Sequence, residues 1–382
     1  MTAAPQAPIA ATRTARPLRL AALTSYSTEP LREKILALAT AGIHLLDLYC
    51  FCERDLEQLF PGPAGRHPFD HFVQYFRPDI AARKIQTYCH EAERAAGSKE
   101  PVQIIGISTF LPDVASPVPE LRQNAVASLK LLLQLARALR ALGFWCETIE
   151  LVTGYTIAVA DPPALASSRA ADRLSFRARI SRTLIDLLKW AKGAKISPPI
   201  FMRAVPPAAA LGFLLDSLGL VLGARDAESW PTQGASAGPP LLACELEPSL
   251  GRLVHDEVSL NEFLTHSPGL PGTGFNLDLG HMEIAGVDHG IMAGLGGRCV
   301  HVHVSNNASE HFADLAMDAA AGYKPAVFQD WLTRVHQCWR AGGSLYRGGL
   351  SIEIESCGDV RVVQKSYQII AGWLDKLGIG YV

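Results

Sequence analysis

Strand-like and helix-like stretches alternate along this chain from end to end, and eight such pairs can close or wind in few ways. The strand-like runs are 18–26, 43–49, 102–110, 145–155, 241–247, 274–280, 299–305 and 350–356. Helical periodicity fills the intervals, over 30–42, 79–97, 119–143, 171–193, 208–225, 259–266, 288–295, 326–342 and 360–378. Parallel strands need crossover connections, usually helices. Eight units in 382 residues therefore predict a single (β/α)8 barrel over 18–382. The runner-up is an open doubly wound sheet, but no strand leads into GxGxxG or a Walker loop. The opening "MTAAPQAPIAATRTARP" (1–17) is Ala, Pro and Thr with two arginines, which reads as a disordered leader.

Composition excludes several functions. A formal charge of −2 offers no general attraction for nucleic acid or an anionic membrane. The longest apolar runs, such as "LKLLLQLARALRALG", are broken by Gln, Arg and Lys, so no spanning helix of roughly 18 residues is expected. The eight cysteines are scattered without CxxC spacing, so they read as reduced thiols in a cytoplasmic protein, several of them buried in strands.

The sixth strand, "GFNLDLGHMEIAG" (274–286), carries Phe275, Leu277 and Leu279 on one side and Asn276, Asp278 and Gly280 on the other. Three neighbouring strands repeat the pattern. The fifth has Glu245 and Glu247, the seventh His301 and His303, the eighth Glu353 and Glu355, each doublet late in its strand. Barrel strands alternate between lumen and helices, and active sites form where their C-terminal ends open. Carboxylates converging in an apolar tube need a counter-charge. A divalent cation held by three carboxylates and an imidazole supplies one, and Mn, Co, Mg and Zn all suit that donor set. Alternation alone does not choose between the members of each glutamate pair.

The run E-x-E-P (245–248), then D-x-x-H (278–281), H-x-H (301–303) and "IEIE" (352–355), resembles the xylose isomerase-like barrel superfamily. That group includes sugar isomerases and epimerases, dehydratases and endonuclease IV. The resemblance implies Glu245, Asp278, His303 and Glu353 as metal ligands. It further implies that Glu245 and Glu353 exchange a proton alpha to a carbonyl on opposite faces of the substrate, with His281 stabilising the oxyanion. The expected activity is isomerisation or epimerisation of a small carbohydrate-like hydroxy-carbonyl compound. A dehydratase or other lyase is the alternative, and a non-catalytic binding barrel is the reading from another class. Ketose 3-epimerases carry a second glutamate after the first ligand and an arginine after the seventh strand; "ELEPSLGR" and "HVHVSNNAS" lack both at the expected places. Endonuclease IV needs early histidines, which "STFLPD" after the third strand does not provide. Homo-oligomerisation through the helical shell is common in such barrels.

Other features read more plainly. His301 is expected beside the metal or in the core. Phe60, Phe69, Phe72, Tyr75 and Phe76, in the long loop after the second strand, are expected to pack locally, and His67 and His71 to be surface histidines. Arg173, Arg177, Arg179 and Arg182 form a solvated helix face. The stretch "NNASEHFADLAMDAAAGYKP" (306–325) is an insertion over the mouth, and its Lys324 is a candidate substrate contact.

Overall fold

Four- to seven-residue strands rich in buried apolar residues, joined by helices, generate the sheet. The computed structural model describes residues 17–49, 53–60, 72–159, 202–231, 238–249, 251–308, 311–341, 345–355 and 357–382. The eight barrel strands are Arg19–Leu23, Leu45–Tyr49, Gln103–Thr109, Thr148–Val152, Leu241–Glu245, Thr273–Asp278, Cys299–Val304 and Gly349–Ile352. All pair in parallel, in chain order, and the first closes onto the eighth. This is the (β/α)8 barrel that the alternation predicts.

Alternation sets which side chains face where. Phe275, Leu277, Val302, Val304, Leu350 and Ile352 belong to the large apolar core shared with the surrounding helices. Their neighbours Asn276, Asp278, His301, His303, Ser351 and Glu353 are buried polar groups of the lumen. Register aligns them, with Asp278 beside His303 and His303 beside Ser351.

The principal helices fall where periodicity puts them, at Leu31–Thr40, Pro78–Ala96, Pro119–Ala141, Pro207–Asp226, Glu257–His266, Pro325–Ala341 and Val360–Lys376. Proline opens four of these, where its missing N–H costs no helical bond.

Several expectations are corrected. The sixth strand stops at Asp278, and Leu279 starts a helix, Leu279–Ile284, rather than continuing the strand. Asp278 itself ends the strand, because its side chain accepts the His281 amide and so caps that helix. Helix Pro207–Asp226 is long and apolar enough to cross a membrane by length and composition, contrary to the expectation of no such run. Leu211, Leu214, Leu218, Val221 and Leu222 nevertheless make one core-facing stripe, with Asp216 exposed opposite. The insertion over the mouth contains a hairpin, Asn306–Ala308 against His311–Leu315. A second antiparallel two-stranded sheet pairs Ile157–Val159, after the fourth barrel strand, with Met202–Ala204.

Phe60, Phe72 and Phe76 pack on one another, with ring centroids 4.4 to 5.9 Å apart. Phe69, His67, His71, the arginine series 173–182 and residues 1–16 of the leader lie outside the described residues. Cys244 and Cys299 are free thiols buried in strands.

Candidate metal centre at the barrel mouth

Four strand ends deliver one cluster. Single ligand atoms from Glu245, Asp278, His303 and Glu353 lie within 4.8 Å of one another, and all four residues are buried. His303 Nδ1 lies 2.9 Å from Glu353 Oε2, within hydrogen-bond distance, and 3.8 Å from Glu245 Oε1. Asn276 Nδ2 donates to the same Glu245 oxygen at 3.2 Å. Asp278 Oδ1 accepts from the His281 amide and from Ser305 Oγ, each at 2.7 Å. Its other oxygen, Oδ2, is buried and accepts no hydrogen bond among the described residues.

The electrostatics are those of crowded anions. Burial, then the charges of Glu150, Glu353 and Asp278, push the Glu245 carboxyl well above the usual range. Burial likewise raises Glu353 well above it, against the opposing pull of His303. Burial would raise Asp278 too, but His281, His303 and its two hydrogen bonds hold it below the ordinary value. For His303, burial favours the neutral ring; Glu150, Glu353 and Asp47 outweigh that and hold the imidazole well above its usual pKa. The donor set fits a hard or borderline divalent cation, and the orphaned Asp278 oxygen is an acceptor in want of a positive partner.

The alternation left Glu247 and Glu355 as competitors, and geometry separates them. The fifth strand ends at Glu245, after which the Glu247 amide bonds to the Val254 carbonyl and the chain turns away. Glu247 Oε2 pairs with Arg252 Nη2 at 2.5 Å, and Glu355 is exposed. His281, on helix Leu279–Ile284, sits 3.1 Å from the Leu246 carbonyl and 3.5 Å from Glu245 Oε1 through Nδ1. Lys324 stands exposed before helix Pro325–Ala341, and no ion pair or side-chain hydrogen bond ties it to the cluster among the described residues.

Beneath the cluster lies a polar layer in which His301, expected beside the metal or in the core, meets Asp47, an acid absent from the expected site. Asp47 Oδ2 accepts from His301 Nε2 at 2.7 Å and from Ser351 Oγ at 2.9 Å. Burial opposes the Asp47 charge, but His301 and His303 outweigh it and hold the carboxyl well below its usual range. Glu150 accepts from Ser108 Oγ, and Arg19 pairs with Glu147 lower in the barrel. The signal was present: "LLDLY" and "TIELV" each carry one acid among apolar residues, the pattern already read in the later strands.

The same architecture occurs in proteins of known structure. A D-tagatose 3-epimerase-like protein is 15% identical, with 94% of this chain and 98% of that one covered at a TM-score of 0.56. The IOLI protein with a bound zinc atom is 10% identical, with 94% and 99% covered at a TM-score of 0.56. A xylose isomerase domain containing protein from Salmonella typhimurium is 10% identical, with 96% and 99% covered at a TM-score of 0.51. No protein-family model and no curated protein matches the sequence. Strand order, closure and these likenesses together give the chain a closed (β/α)8 barrel fold that it shares with these structures.

Proposed function

We propose that the protein is a divalent-metal-dependent isomerase or epimerase of a small carbohydrate-like hydroxy-carbonyl compound. The observation that carries this reading is the gathering of Glu245, Asp278, His303 and Glu353 at the mouth, with their ligand atoms within 4.8 Å of one another. These four residues would hold one cation, of Mn, Co, Mg or Zn. A bound cation supplies neutralising charge and Lewis-acid polarisation of a carbonyl oxygen.

The residues' own part is proton transfer. Glu245 and Glu353 are buried carboxylates at the mouth, the residue type that serves as general base and acid. Glu245 or Glu353 takes the proton from the carbon alpha to the carbonyl, and the electron pair of that C–H bond moves into an enediolate. Return of a proton to the opposite face inverts the centre; return to the neighbouring carbon shifts the carbonyl. His281, whose Nδ1 lies 3.5 Å from Glu245 Oε1, would stabilise the oxyanion. The solved structures of similar fold include a 3-keto-D-glucoside 4-epimerase and a D-psicose 3-epimerase with D-tagatose, which supports a sugar-like substrate.

Elemental analysis of wild type and Asp278→Asn tests the site. Near-stoichiometric metal in the wild type, lost in the variant, is expected. Wild type should then catalyse solvent-deuterium uptake into a carbonyl sugar, and Glu353→Gln should slow that uptake by a factor of at least ~100. Full activity in Glu353→Gln with metal bound would refute the catalytic assignment. Release of water with a conjugated product would make the enzyme a lyase, and the absence of metal in reconstituted wild type would leave a binding barrel.

A further inference from the structure

The imidazole of His303 has two nitrogens, and they face different worlds. Nδ1 points at Glu353 and Glu245, as described above. Nε2 is buried, makes no hydrogen bond among the described residues, and lies 3.6 Å from Glu150 Oε2 and 3.9 Å from Asp47 Oδ2. A histidine that gives one nitrogen to a cation must carry its proton on the other, and a carboxylate facing that N–H fixes both tautomer and ring angle.

We infer that Asp47 and Glu150 are positioning residues for His303, holding its ring so that Nδ1 is presented to Glu245, Asp278 and Glu353. The inference rests on the metal-site reading proposed above and adds residues from the second and fourth strands to it.

Each carboxylate is itself held. Asp47 is fixed by His301 Nε2 and Ser351 Oγ, and Glu150 by the hydroxyl of Ser108. The strands make room for them. At Gly106 a Cβ would lie 2.7 Å from Asp47 Oδ1 and 2.4 Å from Thr148 Oγ1. At Gly349 it would lie 2.7 Å from His301 Nδ1. Only a residue without a side chain leaves those two groups in place.

Asp47, His301 and His303 also lie close enough to hold a cation of their own. The hydrogen bonds favour positioning instead. The Asp47 oxygen nearest His303 already accepts two donors, and a cation there would have to displace His301 and Ser351 from it.

Titration with Co²⁺ alone tests this, following visible absorption and affinity in wild type, Asp47→Asn and Glu150→Gln, with thermal melts of each. Wild type is expected to take one Co²⁺ per chain. Each variant should bind it ~10–100-fold more weakly and with altered d–d bands, because the ring that donates Nδ1 has turned. A change confined to the folding equilibrium would lower the melting temperature and leave the bands of the bound form unchanged. Wild-type affinity and bands in both variants would overturn the inference while leaving the metal site standing. No Co²⁺ in wild type would instead remove the metal-site reading, and this inference with it. Two equivalents in wild type, one of them lost in Asp47→Asn, would overturn positioning in favour of a second cation. If Asp47→Asn does not fold, Ser351→Ala and Ser108→Ala carry the test. They keep both carboxylates but loosen them, so several-fold weaker binding is expected and unchanged binding overturns the inference.

Discussion

Asp113 shows how much a single half-buried acid can reveal. It stands in the short 3-10 turn Pro112–Ala115 after the third strand, apart from the carboxylate cluster, and burial pushes its carboxyl up to about 7. An acid whose folded pKa exceeds its unfolded value of about 3.9 binds more protons folded than unfolded. Its contribution is therefore intact below about pH 4, declines as the pH climbs toward 7, and is level above that. Asp113→Asn removes the penalty, so at pH 8 it should stabilise the protein by roughly 1–3 kcal/mol, with little effect at pH 4. Urea unfolding at the two pH values measures this; an equal effect at both would contradict it. The choice between glutamates also belongs to this scale. Alternation placed Glu245 and Glu247 on one face, and what separated them was the end of the strand and the Arg252 partner of Glu247.

At the scale of elements, periodicity was informative and charge was not. The helix Leu31–Thr40 was legible from its apolar spacing, yet its Lys34 is fully buried. Helix Glu53–Leu59 covers it, and Lys34 Nζ donates to Asp55 Oδ2 at 2.7 Å with both side chains sealed from water. Removing one member of such a pair strands the other charge. Lys34→Met should therefore cost about 3–5 kcal/mol, while Lys34→Met with Asp55→Leu should recover most of that loss. Chemical denaturation of the single and double variants distinguishes this from simple loss of packing, in which the second change would add to the first. Strand ends were less legible than strand interiors. Asp278 reads as a strand residue until its side chain is seen capping the next helix.

On the scale of the whole molecule, closure brings the first strand together with the eighth and with residues 380–382. The first strand pairs with the eighth, and the last residues add a further seam. The Leu18 and Leu20 amides donate to the Gly380 and Val382 carbonyls at 2.8 and 3.0 Å, and the Val382 amide returns to Leu18 at 2.8 Å. A closed barrel exposes no free strand edge, and this seam reinforces the strand at which closure occurs. Net hydrogen bonds of this kind contribute about 0.5–1.5 kcal/mol each. Removing residues 380–382 should therefore lower unfolding stability by roughly 2–4 kcal/mol, read from the urea midpoint at constant slope. An unchanged midpoint would show that the seam contributes nothing.

The sequence by itself determined the eightfold alternation, hence the barrel, and the faces on which Asp278, His303 and the two glutamate pairs stand. Period-two alternation states the face of a strand residue but not its height along the barrel. Height depends on register and on where each strand stops, and only the tertiary structure decided those. That is why Glu245 and Glu353 enter the cluster while Glu247 and Glu355 do not. The same reason hid Asp47, whose partner His301 lies 254 residues away in sequence but 2.7 Å away across the lumen.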